Sequence, residues 1–258
     1  MFQKYSKKLT INRSVVKRSL WVVGIVLWVF GGFFGAQIVV AGLVWLLKLL
    51  NVPIASLDNA ILETVLAALI YLVTLGLVIG LPWLVKKRRT TLSDVGLQRL
   101  PNWTDILMAP AGLIVYLALS SILVTLATSL FPWFNVNQPQ DTGFYQQTSY
   151  GYEIILAFVT LVVIAPVAEE IIFRGYLFGR LKRYAPVWVA IVVTSVVFGA
   201  LHGAWNLAVD TFALSVVMSL LRQNTGSLWA SILLHMSKNG LAFYILFINP
   251  TFLHTLGI

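Results

Sequence analysis

The sequence predicts an all-α fold, a polytopic transmembrane helical bundle of about seven spans, possibly eight helices. Hydrophobic residues make up 59% of the 258 residues, charged residues make up only 10%, and the mean hydropathy is +0.88. A water-soluble domain usually has about a quarter of its residues charged. A chain of this length could not wrap so large an apolar core in water. The composition therefore excludes a soluble domain.

The apolar stretches approach the ~20 residues that a helix needs to cross a bilayer. They lie at roughly 19–47, 60–85, 106–131, 152–179, 187–204, 207–222 and 228–248. The first of them is too long for the core of a signal peptide, which is about 7–15 residues. We therefore expect an uncleaved first span.

The net charge of +9 is concentrated beside the predicted spans. Basic clusters occupy residues 4–18, 86–89 and 180–183, whereas residues 132–151 contain no Lys or Arg. Basic residues stay on the cytoplasmic side of membrane spans. The distribution therefore favours a topology signal over a nucleic-acid surface, with the N-terminus and the basic loop 86–105 in the cytoplasm. Seven crossings would place the C-terminus outside.

Two adjacent carboxylates, Glu169 and Glu170, lie inside the fourth predicted span, with Arg174 one helical turn later. A charge at the bilayer centre costs about 2.5–3.5 kcal/mol on insertion scales. Glu170 and Arg174 are four residues apart and can pair on one helix face. Glu169 lies about 100° around the helix and has no local partner. The alternative is a structural brace in which both glutamates pair with Arg174.

Two histidines and an asparagine also lie inside apolar spans. With a turn near residues 185–186, Glu169 and His202 are equally far from that turn and share a depth in an antiparallel hairpin. His235 and Asn239, four residues apart on one face, lie at a similar depth if a helix rises 1.5 Å per residue. We therefore expect all four side chains to meet near the middle of the membrane.

These residue types favour hydrolysis. A carboxylate beside an imidazole can activate water as a general base, and an imidazole with an amide can stabilise an oxyanion. The sequence has no cysteine, no HExxH motif and no GxSxG motif. The alternative is zinc held by Glu169, His202 and His235 with one open position for water. No role is assigned to His254.

Three motifs now resemble those of a known family, the CAAX-protease and bacteriocin-processing intramembrane proteases, also called Abi or type II CAAX prenyl endopeptidases. EExxxR lies at Glu169–Arg174, FxxxH at Phe198–His202, and HxxxN at His235–Asn239. Each motif alone is weak, but their order and matching depth are specific. The resemblance covers about residues 152–240, and the earlier spans match only in general character.

The resemblance implies a role for each residue. Glu169 would be the general base that activates water, and His202 would help to hold that water. His235 and Asn239 would stabilise the oxyanion. The supporting residues are Glu170, Arg174 and Phe198. A metal-free glutamic-type site is preferred because a zinc site would leave Asn239 without a role, although zinc stays the alternative.

The resulting hypothesis is an intramembrane endopeptidase of a bacterial plasma membrane that cuts a peptide or a small membrane protein. Residues 1–18 would be a basic cytoplasmic tail, 19–151 the first three spans, and 152–258 the catalytic core. The expected surroundings are the lipid bilayer and the substrate, with no nucleic acid and no nucleotide. A non-proteolytic bacteriocin-immunity or scaffolding protein and an ion transporter are the other function classes.

Lys238, beside the third motif, is an unusual cation for a span. It either extends towards the interface or pairs with Asp210, or it partners a motif carboxylate.

Overall fold

The computed structural model describes residues 13–87, 89–138 and 151–249. Within these ranges the chain is α-helical without a strand, and the predicted fold class is confirmed. The helices are α1 (Arg13–Leu49), α2 (Asn59–Val85), α3 (Leu92–Val95), α4 (Trp103–Leu130), α5 (Tyr152–Leu181), α6 (Val187–Ala200), α7 (Trp205–Thr225) and α8 (Trp229–Ile248). A 3₁₀ turn, Ile54–Ser56, precedes α2. The end of the predicted tail, residues 13–18, is therefore helical, and His254 lies outside the described residues.

Of the described helices, five are long and apolar enough to cross a membrane, namely α1, α2, α4, α5 and α8. The other two predicted spans, 187–204 and 207–222, correspond to α6 and α7. Helix α6 is apolar but has only 14 residues. Helix α7 has 21 residues and includes Asp210 and Arg222. It packs against α4, α6 and α8, so protein accommodates its polar side chains.

A tight hairpin joins α5 to α6 and sets the position of the second motif. Pro186 is the N-cap residue of α6, so the turn expected near Ala185 is confirmed. At the other end of α6, a Cβ added to Gly199 would lie 2.6 Å from the carbonyl oxygen of Ala208. Only glycine allows α6 and α7 to cross this closely. The turn after α6, which holds His202, is thereby fixed against α7.

Helix α5 is interrupted twice by π-helical turns, at Val159–Ile164 and at Ile171–Leu177. In the first, the N–H of Ala165 bonds to the carbonyl of residue 160, five positions earlier. The next donor in that register would be residue 166, but it is Pro166 and has no N–H. The carbonyl of Leu161 is therefore left for another donor, which the candidate site supplies.

The basic segment after α2 forms a cap over one end of the bundle. Thr91 and Asp94 make a capping box at α3, and Asp94 also pairs with Arg183 at 2.9 Å. The Thr91 backbone N–H and hydroxyl, together with Arg183, lower the pKa of the Asp94 carboxyl. The N–H of Leu228 donates to the carbonyl of Gly96. This segment therefore ties α5 to the turn between α7 and α8.

Candidate active site

A cavity of about 320 Å³ lies among α2, α5, α7, α8 and the turn after α6. Its wall includes Glu169, His202, His235 and Asn239. The four side chains that the sequence predicted to meet therefore line one cavity. Their catalytic roles stay predictions.

Glu169 lies at the cavity wall with its two carboxylate oxygens in different environments. The hydroxyl of Tyr71 donates to Oε1 at 2.5 Å. The other oxygen, Oε2, lies 3.9 Å from Nε2 of His235, which is too far for a direct hydrogen bond. The side chain is 16% exposed. Oε2 is therefore the oxygen that can act on water.

Sequence reasoning missed Tyr71, which lies in α2, far from the motifs along the chain. The available signal was its hydroxyl inside an otherwise apolar run, since a buried tyrosine O–H usually has a hydrogen-bond partner. The identity of that partner could not be obtained from periodicity.

Glu170 is fully buried and has two partners. Its Oε1 accepts from Nη1 of Arg174 at 2.8 Å and lies 3.1 Å from Nδ1 of His235. The expected pair with Arg174 is present, whereas the contact with His235 was not expected. Among the described residues, Arg174 makes no ion pair with Glu169 within 4 Å. The arrangement therefore differs from a brace in which both glutamates share the arginine.

Phe198, from the second motif, joins the arginine to both histidines. It is fully buried, and the guanidinium of Arg174 lies 4.2 Å from the centre of its ring. The ring also meets His202 edge-on at 4.8 Å and His235 at 5.9 Å between centroids. A cation over an aromatic face is attracted by the ring quadrupole. Phe198 therefore holds the side chains of three motifs at fixed spacing.

The tautomer of His202 follows from its hydrogen bond. Nδ1 lies 2.7 Å from the carbonyl oxygen of Phe198. A carbonyl can only accept, so Nδ1 carries the proton, and Nε2 of the neutral ring is an acceptor. Such a ring can accept a hydrogen bond from a water molecule in the cavity.

Asn239 donates to the backbone carbonyl that Pro166, which has no N–H, leaves without a donor. Its Nδ2 donates to the carbonyl of Leu161 at 2.9 Å. An amide nitrogen has two N–H groups, so one stays available for a substrate oxygen. The proline therefore fixes the orientation of the amide that the sequence predicted to stabilise an oxyanion.

Lys238 also lines the cavity, but its carboxylate partner is outside the motifs. Nζ lies 3.6 Å from Oδ2 of Asp210, which confirms the pairing considered from the sequence. Tyr116 and Ser120 each donate to Oδ1 of Asp210 at 2.6 Å. The aspartate is therefore anchored by α4, and the lysine is attached to it more loosely.

The described part of the chain contains no group of three or more His, Asp or Glu side chains arranged to hold a metal ion. Glu169, His202 and His235, which the zinc alternative requires, share the cavity but do not form such a group. As placed in the described part of the structure, these three side chains do not fit a three-ligand zinc site.

The second half of the chain is similar to known membrane peptidases. Residues 151–241 match the family model described as Type II CAAX prenyl endopeptidase Rce1-like. The segment is therefore similar to the Rce1-like endopeptidases. The resemblance seen in the sequence is therefore confirmed, and the match includes the three motifs.

Three curated proteins resemble this chain. An uncharacterized 24.3 kDa protein of Escherichia coli is 32% identical over 34% of this chain and 43% of its own length. The membrane-embedded CAAX protease MroQ of Staphylococcus aureus is 30% identical over 38% and 41%, respectively. The putative membrane peptidase YdiL of Bacillus subtilis is 29% identical over 33% and 34%. The chain thus spans less than half the length of these relatives, and no solved structure matches it.

Proposed function

We propose that this protein is a multi-pass intramembrane endopeptidase in which Glu169 activates the attacking water. The observation that carries the proposal is the cavity where Glu169 of α5 meets His202 of the turn after α6 and both His235 and Asn239 of α8. The Rce1-like segment and the relatives named as peptidases support the same reaction class.

The first step is attack by water on the substrate carbonyl. Oε2 of Glu169 accepts a proton while the water oxygen bonds to the carbonyl carbon, and the carbonyl π electrons move to the oxygen. Nε2 of His202 accepts a hydrogen bond from the second O–H of the water and orients it, and that hydrogen stays on the oxygen as the hydroxyl of the intermediate. Tyr71 holds Oε1 at 2.5 Å, so the carboxylate keeps its other oxygen towards the water. General-base assistance of this kind contributes about 10²–10⁴-fold.

The second step is collapse of the tetrahedral intermediate. The free N–H of Asn239 and, when its ring is protonated, Nε2–H of His235 donate to the oxyanion, as donors do in oxyanion holes. Glu170 orients the His235 ring through Nδ1. The carbon–nitrogen bond then breaks, and protonated Glu169 gives its proton to the leaving amine. The products are one new carboxyl end and one new amine.

The proposed location is a bacterial plasma membrane with the N-terminus in the cytoplasm. The basic end of the bundle supports this orientation, because Lys and Arg stay on the cytoplasmic side. The substrate would be a peptide or small membrane protein that reaches the cavity from the bilayer.

Peptidomics of cells carrying the intact protein or a Glu169→Ala copy tests the proposal and finds the substrate. We expect at least one peptide product that depends on Glu169. Identical peptide profiles, with both proteins present in the membrane at equal levels, would instead favour an immunity or scaffolding role.

Activity is expected to survive strong chelation. If Glu169 and His202 activate water without a metal, purified protein incubated with EDTA and then dialysed should keep its cleavage rate. The rate and the zinc content should be measured on the same sample. Loss of one zinc per chain together with activity, and recovery of both on adding zinc, would decide for the metallopeptidase alternative.

A further inference from the structure

A second cavity lies at the basic end of the bundle and shares no lining residue with the candidate active site. Its volume is about 450 Å³, and α1, α2 and the end of α5 enclose it. Its apolar walls include Trp21, Trp28 and Val85, and its polar lining includes Arg180. From these features we infer that the cavity binds one anionic phospholipid, with the headgroup phosphate at Arg180 and an acyl chain between α1 and α2.

The guanidinium of Arg180 is placed to receive an anion. It donates to the hydroxyl of Thr90 at 3.1 Å and lies 4.7 Å from the ring centre of Tyr176. Among the described residues, no carboxylate lies within 4 Å of this guanidinium. The nearby Asp94 is paired with Arg183 instead. Arginine can present two parallel N–H donors to a phosphate.

The apolar part of the cavity suits an acyl chain. Trp21 and Trp28 lie two turns apart on α1, about 10 Å along the axis, and each is 39% exposed. The indole N–H of Trp28 donates to the carbonyl of Val78, the acceptor that Pro82 leaves without its α-helical donor. That bond fixes the Trp28 ring as an apolar wall. Val85 is 68% exposed on a helix that can span the membrane, so the cavity borders the bilayer.

The charge around the opening selects for a net negative headgroup. Lys17 and Arg18 at the start of α1 are exposed, as are Lys87 and Arg89 after α2. Basic residues at the cytoplasmic surface attract anionic lipids. A zwitterionic phospholipid offers the same phosphate but also a cation that this rim disfavours.

Native mass spectrometry tests the inference. The full chain is released from phosphatidylcholine nanodiscs and titrated with phosphatidylglycerol. We expect one tightly held phosphatidylglycerol per chain and weaker binding of added phosphatidylcholine. Arg180→Gln should weaken the tight site at least about tenfold, the loss expected for one charge-assisted hydrogen bond. Lys182→Gln removes the same charge at the same end outside the cavity and should leave this site unchanged.

A variant that fills the apolar part of the cavity tests the inference without changing any charge. A Cβ at Gly24, in the cavity wall, or at Gly42, elsewhere on α1, meets no heavy atom within 4 Å. Gly24→Leu should therefore fold normally and lose the tight lipid, whereas Gly42→Leu should retain it. Phosphatidylglycerol should raise the melting temperature of the protein, whereas inorganic phosphate at the same concentration should not.

Equal binding of the two phospholipids, full binding by Gly24→Leu, or equal losses in Arg180→Gln and Lys182→Gln would overturn the inference. Protection by inorganic phosphate matching that by the lipid would assign the site to a free anion instead.

Discussion

Glu169→Gln is expected to abolish peptide-bond cleavage, with a loss of about 10²–10⁴-fold, while the protein inserts and folds normally. Glutamine keeps the size of the side chain and an oxygen that can accept from Tyr71, which lies 2.5 Å from Oε1. It removes only the basic oxygen that takes the proton from water. Single-turnover cleavage of the peptide found by peptidomics measures the loss, and the melting temperature in nanodiscs measures folding.

Tyr71→Phe is the matched comparison for this result. It removes one hydrogen bond to the carboxylate but leaves the base itself, so the expected loss is smaller, at most roughly 10–150-fold for a bond to a charged group that contributes about 1.5–3 kcal/mol. Near-normal cleavage by Glu169→Gln, with Tyr71→Phe more severely impaired, would mean that Glu169 is not the base.

The meeting of the four candidate side chains could be predicted from the sequence because a regular helix rises by a fixed distance per residue. Glu169 and His202 are equally far from the two-residue turn at 185–186, and a regular rise therefore brings them level. His235 and Asn239 follow the same arithmetic from the next turn. The cavity contains all four.

The residues on neighbouring helices that contact these side chains could not be predicted in the same way. Which face of α2 meets α5 depends on helix packing, and so the bond from Tyr71 to Glu169 was missed. The π-helical turn beginning at Ile171 changes the helical register directly after Glu170. Ideal 100° spacing therefore gave no indication that Glu170 also meets His235.

The composition of α7 also did not predict where its polar side chains lie. Its sequence is apolar enough to predict a span at 207–222, yet Asp210 faces hydroxyls of α4 and the amine of Lys238 rather than lipid. A helix surrounded by protein can keep such groups because they find partners. Hydropathy averages over a helix and does not report which residues have partners.

Glu170→Gln is expected to lower both stability and activity. Glu170 and Arg174 are fully buried at 2.8 Å, and removal of one member of such a pair costs about 3–5 kcal/mol because the other charge stays buried and unpaired. The same change takes from His235 the carboxylate that lies 3.1 Å from its Nδ1. The free energy of unfolding and the cleavage rate should be measured together, with Glu63→Gln, an exposed carboxylate of α2, as the control that changes neither.

The double variant Glu170→Gln/Arg174→Gln separates the two effects of that carboxylate. It contains no unpaired buried charge at these positions, so it should recover part of the lost stability. It does not restore an anionic partner for His235, and the cleavage rate should therefore stay low although the fold has improved. Recovery of activity in step with stability would show that Glu170 acts on the reaction only through the fold. Failure to recover stability would show that Arg174 has other partners that matter more than the ion pair.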